Sequence, residues 1–187
     1  MSDPDWRADR LRYDAGAAVF LREQSLWALW VYRFGRRVKA LPAGPRRRLW
    51  QGVYRLLHTV VETATGITLP QDACIGPGLR IWHFGCIVVH PQVVIGVRCT
   101  LRHGVTLGVR EHGGPCPVLE DEVELGAHAQ VLGGVRLGRG CRIGAMALVL
   151  QDVPAGATAV GQPARVIDAG APPPPTARLR ALQKEEA

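Results

Sequence analysis

The stretch VELGAHAQVLGGVRLGRGCRIGAMALVL (residues 123–150) carries an aliphatic side chain at every sixth position. A small or medium-sized residue follows each of them four places later. A period of six fits neither the 3.6-residue turn of an α-helix nor the two-residue alternation of a β-strand. Self-similarity at a fixed period instead indicates a repeat architecture. The repeating aliphatic residues in this stretch are Leu125, Val131, Leu137, Ile143 and Val149.

The same pattern continues upstream through Leu101 and Leu107, and two extra residues near Val93–Val94 shift its phase. Such a pattern predicts a parallel β-helix of triangular cross-section, in which each hexapeptide forms one short strand and one corner. Coils then stack at the ordinary strand spacing of roughly 4.8 Å, so equivalent positions come into contact. The predicted fold class is mainly β, with a β-helix domain over 67–167.

The flanking regions differ in composition from the repeats. Residues 1–66 form a predicted α-helical region, whose apolar residues recur at three- and four-residue spacing from Leu26 to Phe34 and again from Leu49 to Gly66. Its tryptophans and arginines suit either a helix packed on a partner or a helix lying on a membrane surface. Residues 168–187 form a predicted flexible, Pro-rich tail.

Composition limits the class of protein. The chain has 187 residues, a net charge of +7, 47% hydrophobic residues and 21% charged residues, which excludes a largely disordered chain. No apolar run reaches the roughly 18 residues that a membrane span needs, and the charged start lacks the apolar core of a secretory signal. The sequence contains no CxxC pair, which predicts reduced thiols and a cytoplasmic location. Despite the pI near 9.7, no aromatic and basic platform points to nucleic acid.

Five segments together resemble the serine acetyltransferase branch of the hexapeptide-repeat acyltransferases. The resemblance implies a left-handed β-helix, assembly as a homotrimer or a dimer of trimers, and transfer of an acetyl group from acetyl-CoA to a hydroxyl. It implies no metal. The family's C-terminal Ile is absent because the chain ends in Glu186–Ala187, so cysteine synthase is not an expected partner. The segments are WALWVYRFGRRV (27–38), IGPGLRIWHFGCIVVH (75–90), CTLRHGVTLG (99–108), VELGAHAQVLGGVRLGRGCRIGAMALVL (123–150) and AVGQPARVI (159–167).

His83 matches the catalytic histidine of that family. Acyl transfer to a hydroxyl needs a base near neutral pH, and histidine is the side chain best suited to it. His103 lies three repeats further on at the equivalent register position, so the two histidines are expected to stack, although the family usually has an amide there. Thr68 stands where the family has the acidic residue that orients the catalytic histidine, and Glu62 or Asp72 is a possible substitute in space.

The resemblance also assigns acceptor-binding positions. Asp14 matches an acidic position of the helical region, and His112 and Cys116 lie in a loop that lines the acceptor site in the family. Trp82 stands where the family has an acid that holds the amino group of serine, and Pro115–Cys116 replaces an Arg–His pair. A free amino acid needs partners for both its charges, so these differences favour another small hydroxyl acceptor over L-serine.

Implied acetyl-CoA positions are Gly108, Ala127, Ala145 and Arg165. The alternative functions are L-serine O-acetyltransferase, an exopolysaccharide sugar O-acetyltransferase, and a non-catalytic β-helix scaffold. A zinc hydratase on the same fold would need three histidines at one site. His83 and His103 offer two, whereas His128 lies one position out of phase with them.

Overall fold

Four helices precede the repeats in the computed structural model, which describes residues 4–13 and 19–167. Asp14 and the predicted tail over 168–187 lie outside the described residues. Pro45 begins the longest helix, where its missing N–H costs no hydrogen bond, and Gly66 ends it with a left-handed φ of 65°. The helices are α1 (Pro4–Arg10), α2 (Val19–Arg22), α3 (Ser25–Lys39) and α4 (Pro45–Thr65). The two predicted helices correspond to α3 and α4.

Short strands follow from Ile67 onward and form the three faces of a prism. The first face has the strand order β1-β4-β7-β10-β13, the second β2-β5-β8-β11, and the third β3-β6-β9-β12-β14, which β15 extends. The strands are β1 (Ile67–Thr68), β2 (Cys74–Ile75), β3 (Arg80–Trp82), β4 (Ile87–Val89), β5 (Val94–Ile95), β6 (Thr100–Arg102), β7 (Thr106–Gly108), β8 (Val118–Leu119), β9 (Glu124–Leu125), β10 (Gln130–Leu132), β11 (Arg136–Leu137), β12 (Arg142–Ile143), β13 (Leu148–Val149), β14 (Thr158–Val160) and β15 (Arg165–Ile167).

The six-residue period sets the register of this prism. Ile81 pairs with Leu101, and Leu101 pairs with Leu125, so the repeating aliphatic residues stack through the core and are almost fully buried. Cys99 and Cys141 occupy small inward positions, where burial raises the pKa of their thiols to about 11 and about 12. The predicted fold class is therefore confirmed.

Departures from the six-residue period lie at two corners of the prism. Val89 pairs with Leu107, and it follows Ile81 by eight residues, whereas Leu107 follows Leu101 by six. The two extra residues therefore lie between β3 and β4, and the expectation that they lie near Val93–Val94 is wrong, because Val89 and Ile95 keep the regular spacing of six. The corner between the first and second faces is expanded one coil later, into the segment 109–117 between β7 and β8.

Side chains of the helical region complete the first coil, which has no coil before it to bond with. The Tyr32 hydroxyl donates to the carbonyl of Ala73 (2.9 Å) and accepts from the N–H of Ile75 (3.0 Å). The Tyr13 hydroxyl accepts from the N–H of Ile81 (3.1 Å). Buried backbone groups without partners are costly, so these hydroxyls replace the missing strand.

A buried ion pair supplies hydrogen-bond partners to the backbone of the first coil at the adjacent corner. Asp9 accepts from Arg33 at 2.8 and 3.1 Å and from the N–H groups of Gly78 and Leu79 at 2.8 and 2.9 Å. Arg33 also donates to the carbonyl of Gly76 at 2.7 Å. Burial by itself lowers the pKa of Arg33, but the hydrogen bond and charge of Asp9 outweigh it and hold that pKa above its ordinary value. The pair therefore joins α1 and α3 to the solenoid.

The other end of the described solenoid is closed by the chain itself. β15 folds back and pairs antiparallel with β14, with Val160 opposite Arg165. The N–H of Ala164 donates to the carbonyl of Leu148 at 2.7 Å. In the described residues, no helix combines the length and apolar character required to cross a bilayer.

Removal of one partner of the buried pair should destabilise the fold strongly. Arg33→Met leaves the Asp9 carboxylate buried without its counter-charge, and we expect it to lower the free energy of unfolding by about 3–5 kcal/mol. Lys39→Met is the matched control, since it removes the exposed Lys39–Asp72 pair and should cost less than about 1 kcal/mol. Urea unfolding followed by circular dichroism measures both. Equal losses in the two variants would contradict this role for the pair.

Candidate active site

Three histidines lie side by side on the corner that joins the third face to the first, which we call the histidine corner. His83 follows β3, His103 follows β6, and His128 follows the next strand of that face, β9. The ring centroids of His83 and His103 are 5.7 Å apart, and those of His103 and His128 are 5.0 Å apart, both edge to face. The predicted adjacency of His83 and His103 is confirmed, and it follows from the pairing of Trp82 with Arg102.

The expectation that His128 stands apart from the other two is wrong. Gly104 and His128 both have left-handed backbones, with φ of 73° and 58°. Because Gly104 has no side chain, the imidazole of His128 fills the space over it: a Cβ at Gly104 would lie 2.2 Å from His128 Nδ1. His128 lies one register position away from that of His83 and His103, but its ring still reaches His103. The sequence signal for this contact is the glycine directly after His103.

The three rings differ in their access to solvent. His83 and His128 are exposed, whereas His103 is half-buried. Nδ1 of His103 is buried, with no hydrogen-bond partner within residues 4–13 and 19–167. His83 makes no side-chain hydrogen bond to any residue that the structure describes, so both its ring nitrogens are available to a bound molecule.

The groups considered as orienting partners of His83 are used elsewhere. Thr68 donates to Glu62 at 2.6 Å, and the other oxygen of that carboxylate lies 3.3 Å from Nδ1 of His58. Asp72 pairs with Lys39 at 2.6 Å. Thr68 and Glu62 thus form one hydrogen-bonded unit, and within the described ranges neither is hydrogen-bonded to His83.

Aromatic side chains flank His83 on both sides along the chain. Trp82 and Phe84 are about half exposed, at 45% and 50%. The buried guanidinium of Arg80 lies between the rings of Tyr13 and Trp82, at 3.7 and 4.1 Å from their centroids. This stacking of a cation on two aromatic faces fixes Trp82 and ties it to the helical region.

Cys116 lies at a different corner, on the expanded loop. Its Sγ is 3.0 Å from Nδ1 of His90, and the N–H of Gln92 donates to the same nitrogen at 3.3 Å. That nitrogen is therefore an acceptor, and the thiol donates to it. Burial raises the pKa of the Cys116 thiol, which disfavours the thiolate that a nucleophile requires. His112, on the same loop, is exposed. The contact with His90 was not expected from the sequence.

The predicted acetyl-CoA positions are spread along the solenoid. Ala127 and Ala145 lie on the histidine corner in successive coils, and the carbonyl of Ala127 accepts from the N–H of Met146 at 2.8 Å. Gly108 ends β7 opposite Leu132, and Arg165 begins β15 with an exposed side chain. Two of the four positions therefore share the corner that carries His83.

Nothing in the described part of the chain groups three or more His, Cys, Asp or Glu side chains in an arrangement that could hold a metal ion. The three rings of the histidine corner meet edge to face. The corner thus offers imidazole nitrogens and aromatic surface, a set suited to proton transfer.

Comparison with known proteins decides the family, although no family model matches the chain. A serine acetyltransferase of Helicobacter pylori strain J99 is 35% identical over 174 residues, which cover 89% of this chain and 98% of that enzyme. The chain belongs to the serine acetyltransferase family. It spans only 47% of the Synechococcus elongatus serine acetyltransferase, to which it is 39% identical over 115 residues, or 60% of this chain.

Solved structures of the family agree with this assignment. A serine acetyltransferase in complex with cysteine has a TM-score of 0.72 and 30% identity, and the match covers 88% of this chain and 67% of that one. The Neisseria gonorrhoeae serine acetyltransferase in complex with serine has a TM-score of 0.72 and 29% identity, with 86% and 65% covered. The predictions of this family and of an acyltransferase that uses acetyl-CoA are therefore confirmed.

Filling the space over Gly104 should damage the site. Gly104→Ala places a methyl group where His128 Nδ1 lies and pushes that ring against His103, so we expect activity to fall by about 10². Gly140→Ala is the control, because Gly140 has a similar φ of 66° but open space around it. Thiol release from acetyl-CoA, with thermal unfolding of both variants, measures the effect. Full activity of Gly104→Ala would show that His128 has no bearing on the reaction.

Proposed function

We propose that this protein transfers the acetyl group of acetyl-CoA to the hydroxyl of a small acceptor at the histidine corner, with His83 as the base. The observation that carries the proposal is the exposed imidazole of His83, whose nitrogens have no hydrogen-bond partner among the described residues while its ring packs against His103. Such a ring is held in place yet open to substrate, as general base catalysis requires.

The reaction needs few groups beyond that ring. His83 accepts the proton of the acceptor hydroxyl as its oxygen attacks the thioester carbonyl carbon. The C–S bond then breaks, and the imidazolium returns the proton to the sulfur of the leaving thiolate. Backbone N–H groups at the corner are the donors available to the negative oxygen of the tetrahedral intermediate.

His103 serves as a positioning residue in this scheme. The ring of His103 contacts His83 on one side and fixes the plane of that imidazole. On its other side, His103 is supported by the ring of His128. Because Thr68 bonds to Glu62, a carboxylate lies one hydrogen bond away from the position where the family has an acid. We infer that this unit holds the coil under His83 and does not compensate the charge of its imidazolium directly.

The acceptor that we favour is an uncharged hydroxyl compound such as a sugar. Trp82 and Phe84 border His83 with aromatic surface that suits the apolar face of a sugar ring. Neither of these side chains carries a charge that would pair with the ammonium or carboxylate group of a free amino acid. L-Serine is the second candidate, since the relatives reported above are named serine acetyltransferases.

We also propose a homotrimer, as the resemblance implies. Acyltransferases of this fold work as trimers, so light scattering should give a mass near three times the 20.3 kDa of the chain.

The predicted cytoplasmic location agrees with the exposed free thiols of Cys74 and Cys86.

An acceptor panel with a His83 variant tests the proposal. Wild type and His83→Ala receive acetyl-CoA with L-serine, homoserine and common hexoses, and released thiol is measured. We expect turnover with a neutral acceptor and a fall of about 10²–10⁴ in kcat for His83→Ala, because the base is lost. Turnover confined to serine would reject the neutral acceptor, and an undiminished variant would reject His83 as the base. Acetyl-CoA binding, measured by calorimetry, confirms that the variant is folded.

A further inference from the structure

The excess positive charge of the protein is confined to α3, α4 and their connection. Between Glu23 and Glu62 there are eight basic residues and no acidic one. The rest of the chain contains 15 basic and 16 acidic residues, so by itself it is nearly neutral. We call the segment 24–61 the basic hairpin. Its basic residues are Arg33, Arg36, Arg37, Lys39, Arg46, Arg47, Arg48 and Arg55.

An apolar stripe runs along the outward side of α4. Leu49, Leu56 and Val60 are 68%, 67% and 55% exposed, and Val53 lies between them. Their spacing of i, i+4, i+7 and i+11 puts all four on one side of the helix. Tyr54, which is buried against the first coil, lies on another side of α4. The helix is therefore apolar where it faces solvent as well as where it faces the core.

Aromatic rings widen this stripe. Trp30 of α3 stacks on Phe34 with ring centroids 5.9 Å apart, and Phe34 meets Trp50 of α4 edge to face at 6.0 Å. Trp30 and Trp50 are each more than one-third exposed. Indole rings combine an apolar body with a polar N–H, which suits a boundary between water and hydrocarbon.

Arginines border the stripe on both sides. From helical spacing, Arg46 lies on the flank next to Val53, and Arg48 and Arg55 lie on the opposite flank. On that second flank, Arg47, Arg48 and Arg55 join Lys39 around an open cavity of about 560 Å³ between α4 and the turn at Gln71–Asp72. Apolar side chains with cations on both flanks form the pattern of a helix that lies in a membrane interface.

A second copy of this chain is a less suitable partner for this face than a lipid surface. A second basic hairpin would bring the exposed arginines of its own α4 against this face, which like-charge repulsion disfavours. The acidic stretch of this chain is already committed, because Glu120, Glu122 and Glu124 pair with Arg136, Arg139 and Arg142 of the next coil. No acidic residue inside the hairpin offsets its charge.

We propose that the basic hairpin docks the protein on the surface of an anionic lipid membrane. The stripe of Leu49, Leu56 and Val60 enters the interface between headgroups and acyl chains, and the flanking arginines bind lipid phosphates. The histidine corner belongs to the solenoid, so the docked enzyme keeps its site on a separate element. This inference concerns a surface and is independent of the proposed acceptor.

Vesicle flotation with the full-length protein tests the docking. We expect binding to vesicles of phosphatidylcholine with roughly one-third phosphatidylglycerol, and at least tenfold weaker binding to pure phosphatidylcholine. About 1 M salt, which shortens the screening length to about 3 Å, should weaken the binding further. Arg46→Gln, Arg48→Gln and Arg55→Gln should each lower the partition coefficient by about fivefold.

A pair of double variants separates the stripe from charge alone. Leu49→Glu with Leu56→Glu should reduce binding at least tenfold, since burial of each leucine is lost. Leu11→Glu with Leu21→Glu is the matched control, because these leucines are 77% and 74% exposed, lie outside the hairpin and change the charge equally. The proposal would be overturned if the two double variants bound the vesicles equally well. It would also be overturned if binding of the wild-type protein did not depend on lipid charge and salt. A change of oligomeric mass in the hairpin variant alone, without lipid, would show that another subunit covers the stripe.

Discussion

The ion pair of Asp9 and Arg33 stands where the solenoid would otherwise have an open end. A β-helix satisfies its backbone by stacking one coil on the next, so its first coil has groups with no strand to bond to. Here the carboxylate and the guanidinium, with two tyrosine hydroxyls, replace that strand. Because the helical region supplies these groups, it acts as a cap that covers the first coil of the solenoid.

The cap also reaches the reacting corner. Tyr13 accepts a hydrogen bond from Ile81 and presents its ring to Arg80, whose other side is covered by Trp82. Trp82 immediately precedes His83. The position of the proposed base is thus linked by contact to the packing of the N-terminal helices.

Much of this molecule could be predicted from its sequence, because stacking converts a six-residue period directly into a register. That register predicts the faces of the prism and the adjacency of His83 and His103. It does not predict His128, whose contact depends on the missing side chain of Gly104 in the neighbouring coil. Nor does it predict the pairing of Asp9 with Arg33 or of Cys116 with His90, since these contacts join segments of different period and no local pattern connects them.

The roles of Thr68 and Cys116 could be posed from the sequence but not settled by it. The resemblance assigns both to positions where the family has a charged residue. In the fold, Thr68 is hydrogen-bonded to Glu62, and Cys116 is hydrogen-bonded to His90. Spacing identifies a position, whereas the partner of a side chain depends on what the other coils place beside it. The choice of acceptor depends on those partners.

The proposed function requires that acetyl transfer takes place at the histidine corner. The most direct measurement is a crystal structure of the protein with CoA bound. We expect the thiol sulfur within hydrogen-bond reach of a ring nitrogen of His83, so that a proton can pass between them. We expect the rest of the CoA molecule along the corner that carries Ala127 and Ala145. A thiol bound at another corner, such as that of Cys116 and His90, would contradict it.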